Sequence, residues 1–198
     1  MNRVYWISGG SGAGKSTIAR RLASAHGLRL YSTDEMMSDH ARRNPGPRLR
    51  EFAAMTMDER WLDRRPEVML ESFHWFCGEG FDCIVEDLAE RAGVIVEGFR
   101  LLPHLVKPLL GPSGGAVWLL PTPEFRRAAF AQRGLLWDIA GKTSDPERAL
   151  SNLLERDHLF TARVRESAAQ LQLPVIEVGG GMDEGTLAAR AAGSLGLG

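Results

Sequence analysis

The chain has 198 residues, 44% of them hydrophobic and 25% charged, the balance of a globular protein with a sizeable core. Its 24 Lys and Arg against 25 Asp and Glu leave a formal net charge of −1, so nothing points to general nucleic-acid binding through a basic surface. No apolar run approaches the ~20 residues of a membrane span, and the first residues read as a strand and not as a leader, so a cytoplasmic protein is expected.

In chain order, the apolar run Arg3–Ser8 predicts a strand. It leads into Gly9-Gly10-Ser11-Gly12-Ala13-Gly14-Lys15-Ser16, which spells G-x-x-x-x-G-K-S. Glycines there let backbone N–H groups converge on phosphate oxygens. Lys15 reaches the β- and γ-phosphates, and the Ser16 hydroxyl suits Mg²⁺. Thr17 to Ala23 reads as an amphipathic helix, whose N-terminal dipole end faces the same anion. The expected nucleotide-binding residues are therefore Gly10, Ser11, Gly12, Ala13, Gly14, Lys15, Ser16 and Thr17. Gly141-Lys142-Thr143 is a decoy, since Leu136 stands where the upstream glycine belongs.

Further strands are expected at Leu28–Tyr31, Val94–Glu97, Ala116–Leu120 and Pro174–Val178. Helices between short apolar strands imply right-handed parallel crossovers and a three-layer α/β domain over residues 1–198. Two stretches exceed what a sheet needs. The first, about 35–90, begins with a polar, proline-interrupted segment at Ser38–Arg50. It continues with a capping box at Thr56–Glu59, a helix opened by Pro66 and a short helix at Phe81–Ala89. The second, about 134–145, reads as a closing lid. A last helix from Asp183 to about Leu195 should cover the sheet. Cys77 and Cys83 fit neither a disulfide framework nor a zinc pattern and read as reduced thiols.

Asp34 follows the second strand, on the edge of a parallel sheet where ligands bind. A carboxylate there can help hold hydrated Mg²⁺ or take a proton from an attacking hydroxyl. Glu97 closes a buried strand, which demands a cation or a donor: Mg²⁺, an acceptor hydroxyl, or an ion pair with Arg100. Arg100 can instead hold the acceptor. Arg126 and Arg127 open the helix after the fourth strand, Arg133 borders the lid, and Arg156 lies one helix later. Of these, Arg133 and Arg156 are the candidates for charge on a migrating phosphoryl group. His74, Trp61 and Trp75 have core spacing.

With these residues in place, the chain resembles the nucleoside-monophosphate-kinase and shikimate-kinase branch of the P-loop proteins. The likeness rests on Gly9–Ser16, Asp34, Val94–Gly98, and Leu119–Glu124 leading into an arginine-bearing helix. Leu154 to Phe160 is similar to the shikimate-kinase segment whose arginine holds the acceptor, which places Arg156 in that role. The resemblance implies a five-stranded parallel sheet in order 2-3-1-4-5, a helical acceptor insert, an arginine-bearing lid, and ATP with Mg²⁺. Two departures stand out. The lid carries only Arg133 and Lys142, and Glu97-Gly98-Phe99-Arg100 replaces the glycine-rich acceptor motif while resembling the zeta-toxin type of sugar-nucleotide kinase. The reading is an ATP-dependent small-molecule kinase acting on a hydroxyl, catalysed through Lys15, Asp34, Glu97 and Arg133. Asp34, Arg100 and Arg156 would contact the acceptor, and Ser16 and Asp34 the metal. The alternatives are a nucleoside-monophosphate kinase using the insert arginines, and a non-catalytic nucleotide-binding regulator. No guanine-reading Asn-Lys-x-Asp is present. The expected partner is a small-molecule acceptor, with no nucleic acid or membrane, for a monomer or homodimer.

Overall fold

The computed structural model describes residues 3–89, 91–133 and 135–197; the side chains of 130–137 lie outside the described set. The elements run β1 (Val4–Gly9), α1 (Lys15–Ala25), β2 (Arg29–Ser32), α2 (Met37–Arg43), α3 (Pro47–Ala54), α4 (Met57–Trp61), α5 (Pro66–Ser72) and a 3-10 turn (His74–Cys77). Then follow α6 (Phe81–Leu88), β3 (Val94–Glu97), α7 (Pro103–Val106), β4 (Gly115–Pro121), α8 (Pro123–Arg133), α9 (Leu135–Ala140), α10 (Pro146–Gln170), β5 (Val175–Val178) and α11 (Glu184–Leu195).

The five strands form one parallel sheet in the order β2-β3-β1-β4-β5. The three inner strands are apolar nearly throughout because helices cover both of their faces. Alternation along them sorts the side chains. Trp6, Val96, Trp118 and Leu120 point to one face, under α6 and α10. Tyr5, Ile7, Ile95, Val117 and Leu119 point to the other, under α1 and α11. A third cluster joins Trp61, Leu62 and Met69 of the insert to Ala140, Ala149 and Leu153. The register pairs Ile7 and Ser32 with Glu97, and Gly9 with Leu119, so the glycine loop, Glu97 and the residues after Ser32 share one edge of the sheet.

The polar segment Ser38–Arg50 is not irregular: it forms α2 and the start of α3. Asp39 pairs with Arg42 and Arg43 one turn on, at 2.7 and 3.4 Å, and Pro47 occupies the first turn of α3. The capping box at Thr56 and Glu59 is formed in both directions. Asp145 and Asp183 cap α10 and α11. The decoy Lys142-Thr143 sits in the turn after α9, where the Thr143 hydroxyl donates to the Ala140 carbonyl at 2.6 Å.

Candidate active site

The glycine loop leaves β1 through Gly9, whose φ of 128° only glycine adopts comfortably and where a side chain would collide with the Leu119 carbonyl of β4. Gly14, at φ 80°, caps α1 without a side-chain hydrogen bond, and the first turn of α1 carries no acid. The amide end of an 11-residue helix is thus left to an external anion. The Lys15 ammonium curls back and donates to the Gly10 carbonyl at 3.0 Å.

Two carboxyl groups face this loop. Glu97 receives the Ser32 hydroxyl on Oε1 at 2.8 Å and the Ser16 hydroxyl on Oε2 at 3.1 Å. Asp34 receives the Thr33 hydroxyl at 3.3 Å. Burial raises the pKa of both above the ordinary carboxylate value, and the charge of Asp34 adds to the rise at Glu97. The Lys15 charge opposes both shifts. Gly98 (φ 144°) permits the convergence: a Cβ there would overlap the Thr33 hydroxyl and lie 2.9 Å from Asp34 Oδ1.

Behind Asp34 stands Arg100, only 2% exposed. Its Nη1 donates to the Thr33 carbonyl at 3.3 Å and to His40 Nδ1 at 3.0 Å, and its Nη2 donates to the Gly80 carbonyl at 3.1 Å. Its guanidinium carbon lies 3.9 Å from the Trp75 ring centroid. Because arginine only donates, His40 Nδ1 accepts and its Nε2–H points to Asp87 at 3.0 Å. Tyr31 donates to the same Asp87 oxygen at 2.6 Å. Burial depresses the Arg100 pKa to about 10. Arg100 therefore makes no ion pair with Glu97 and braces the loop that carries Asp34 from within.

Arg156 and Asp157 occupy the middle of α10, 6% and 2% exposed. Asp157 Oδ1 accepts from Arg156 Nε at 3.0 Å and Nη2 at 2.6 Å. The Arg156 guanidinium carbon lies 5.0 Å from the Trp61 ring centroid and 5.2 Å from those of Phe73 and Phe76. One turn further along α10, Thr161 accepts from Arg126 Nη2. A Cβ built on Gly10 would lie 2.7 Å from that Thr161 hydroxyl. Arg126 is thus held beside the glycine loop. It is 3% exposed, its Nε has no partner, and burial lowers its pKa against the pull of Asp157. A cleft of about 570 Å³ opens beside it, lined by Pro66, Pro123, Arg126, Arg127, Asn152 and His158 among others.

The expected residues Gly10–Thr17, Asp34 and Glu97 come together at one edge, and Arg156 lies in the wall formed by α10 and the insert. The side chain of Arg133 lies outside the described residues. Trp61, His74 and Trp75 are buried as expected, with burial holding His74 neutral, its pKa lowered to about 4. Sequence reasoning gave Arg126 and Asp157 no special part. Arg126 is one arginine among many on helices, and the sequence around Asp157 does not announce its burial. Among the described residues, no cluster of three His, Cys, Asp or Glu side chains is placed to hold a metal ion on its own.

Parallel strands in this order, joined to a glycine loop that opens a helix, define the P-loop kinase fold. No family model matches the chain, and no curated protein matches it. Solved structures do. A shikimate kinase from Aquifex aeolicus is similar at 15% identity and a TM-score of 0.54, over 96% of this chain and 95% of that one. The protein TT1252 from Thermus thermophilus is similar at 18% identity and a TM-score of 0.55, over 97% and 95%. At these identities the likeness shows the fold: the chain is built as a shikimate-kinase-like P-loop kinase is built.

Proposed function

We propose that the chain is an ATP-dependent phosphotransferase that moves the γ-phosphoryl group to a hydroxyl of a small molecule. One observation carries this reading: the uncapped glycine loop with Lys15 faces two carboxyls, the buried Glu97 and the partly buried Asp34, across one sheet edge. The loop amides and Lys15 hold the triphosphate. Arg133 remains, in this reading, the lid arginine. Arg126 adds positive charge beside Gly10.

Magnesium fits the donor set, because the Ser16 hydroxyl and the carboxylates of Glu97 and Asp34 are hard oxygen ligands, directly or through water. When bound it would neutralise the negative charge that builds during phosphoryl transfer.

The acceptor hydroxyl gives its proton to Asp34, its oxygen forms the new bond to the γ-phosphorus, and the bridging bond breaks with its electron pair left on the β-phosphate of ADP. Glu97 keeps Ser16 and Ser32 in place. A phosphate acceptor would need free insert arginines, and most are committed elsewhere. Arg43 binds Asp87 and Glu86, Arg42 binds Asp39, and Arg48, Arg60 and Arg64 donate to backbone carbonyls. This favours the hydroxyl acceptor over the nucleoside-monophosphate alternative.

The test is direct. Purified protein with MgATP is incubated with a panel of metabolites and nucleosides, and products are read by mass spectrometry. A product gaining one phosphoryl group, absent with Lys15→Ala, is expected. ATP bound without any phosphorylated product would overturn the reading and leave a nucleotide-binding regulator.

A further inference from the structure

We infer that His40, in the first helix of the insert, is a positioning residue for Asp34: by fixing the direction of the Arg100 guanidinium, it fixes the loop on which Asp34 stands. This rests on the phosphotransferase reading and deepens it by adding a residue behind the site.

The contacts run without a break from Asp34 to the insert. Thr33, the residue before Asp34, is fully buried. Its amide donates to the Glu97 carbonyl at 2.9 Å, its hydroxyl donates to Asp34 at 3.3 Å, and its carbonyl accepts from Arg100 Nη1 at 3.3 Å. The first contact follows from strand pairing and the second from Asp34 itself. The third depends on where a long side chain points. A guanidinium is planar and each terminal nitrogen carries two hydrogens in that plane. His40 Nδ1 takes one hydrogen of Arg100 Nη1 at 3.0 Å, which presents the other to Thr33. The Gly80 carbonyl at 3.1 Å and the Trp75 ring at 3.9 Å hold the rest of the fork.

His40 can aim Arg100 because its own ring is locked. The ring is fully buried, and its Nε2–H goes to Asp87 Oδ2 at 3.0 Å, beside the Tyr31 hydroxyl. A donor at Nε2 leaves Nδ1 as an acceptor. Asp87 and Glu86 of α6 also hold Arg43 of α2, at 2.6 and 2.8 Å. The helix that carries His40 is therefore anchored away from the Asp34 loop, and the loop is held against a fixed point.

Paired variants test it. In His40→Asn the amide oxygen stands near the place of Nδ1 and still accepts from Arg100; in His40→Gln the amide reaches toward Asp87 instead. His40→Gln should lower kcat at least ~10-fold with the KM for ATP unchanged, as a displaced reacting group does. His40→Asn should recover most of that loss. Tyr31→Phe is the structural control: it removes a hydroxyl from the same cluster and leaves Nδ1 alone, so melting temperature should fall while kcat stays. In an Asp34→Asn background the His40→Gln loss should shrink below ~2-fold, because His40 acts through Asp34. Equal losses in the Gln and Asn variants, losses that track melting temperature across all three, or a loss that persists beside Asp34→Asn overturn the inference. Arg100→Lys keeps the charge but not the fork that spans Thr33, His40 and Gly80. It should repeat the Gln result, and it takes that variant's place if His40→Gln does not fold. Hydrogen exchange across residues 32–36 gives a readout without any acceptor. It should be faster in His40→Gln than in His40→Asn, and equal rates overturn the positioning role. The phosphotransferase reading fails separately, when no phosphorylated product depends on Lys15.

Discussion

At the scale of single residues, Asp34 carries opposite demands. As the proposed proton acceptor it must be ionised, and burial disfavours that form. Asp34→Asn should therefore lower turnover at least ~10²-fold, the scale of losing a general base, while raising the melting temperature of the unliganded protein. The sign follows from linkage. A carboxyl whose folded pKa lies above its unfolded value contributes stability that is complete below about pH 4 and is lost as pH rises through the raised value. Melting temperature against pH should fall through that window in the wild type and less so in Asp34→Asn. The acid limb of kcat/KM should likewise lie above the ordinary carboxylate range; a limb at about pH 4 or below would show that Asp34 is not the base. Gly98→Ala should displace Asp34, because the new methyl would overlap the Thr33 hydroxyl. A loss of turnover with ATP affinity retained is the expected split. The glycine loop was legible in the sequence because its residues are contiguous. Asp34 and Glu97 were legible because strand ends in a parallel sheet share an edge. Asp157 was not, since nothing in Leu154 to Phe160 says which face of the helix is buried.

At the scale of elements, the segment after α9 is tied to the insert. The Ser144 amide donates to Asp58 Oδ1 at 2.8 Å, the Ser144 hydroxyl and then this amide lower the Asp58 pKa, and Ala140 packs with Trp61 and Met69. Asp58→Ala should speed hydrogen exchange across residues 138–145 in the free protein, and unchanged exchange would mean that packing alone holds the segment. Lowering the pH through the depressed Asp58 value should have the same effect in the wild type, because protonation removes the acceptor. All five strands were legible, since short apolar runs between helices leave few other arrangements. Helices α2 and α3 were not. Their residues are polar, and what holds them is distributed: Asp39 with its arginines, His40 and Asp87 with Tyr31 and Arg100, and Glu79, which receives the Arg48 and Leu49 amides. Such pairings span tens of residues and leave no local period.

At the scale of the whole molecule, ligand binding should show as stability. MgATP at about 100 times its Kd stabilises the folded chain by ~2.7 kcal/mol, or roughly 5–10 °C in melting temperature for a protein of this size. Lys15→Ala should lose most of that gain. The resemblance foretold the strand order, but the surroundings of Arg156 draw on α4, the turn after α5 and the middle of α10, so no single stretch of sequence announces them. Helix α10 also has a mechanical consequence. It is a rod of 25 residues, about 37 Å long at ~1.5 Å per residue. Thr161 pins it beside the glycine loop, and the Arg156–Asp157 pair sits a little more than one turn away. Its free arm reaches from Thr161 to Pro146, about 22 Å by the same rise. A tilt of about 5° at that fulcrum would carry the far end, and the segment attached to it, through roughly 2 Å, while the Arg156–Asp157 pair moved under about 1 Å. The helix would act as a lever with unequal arms, so that a small adjustment beside the glycine loop is magnified at its Pro146 end.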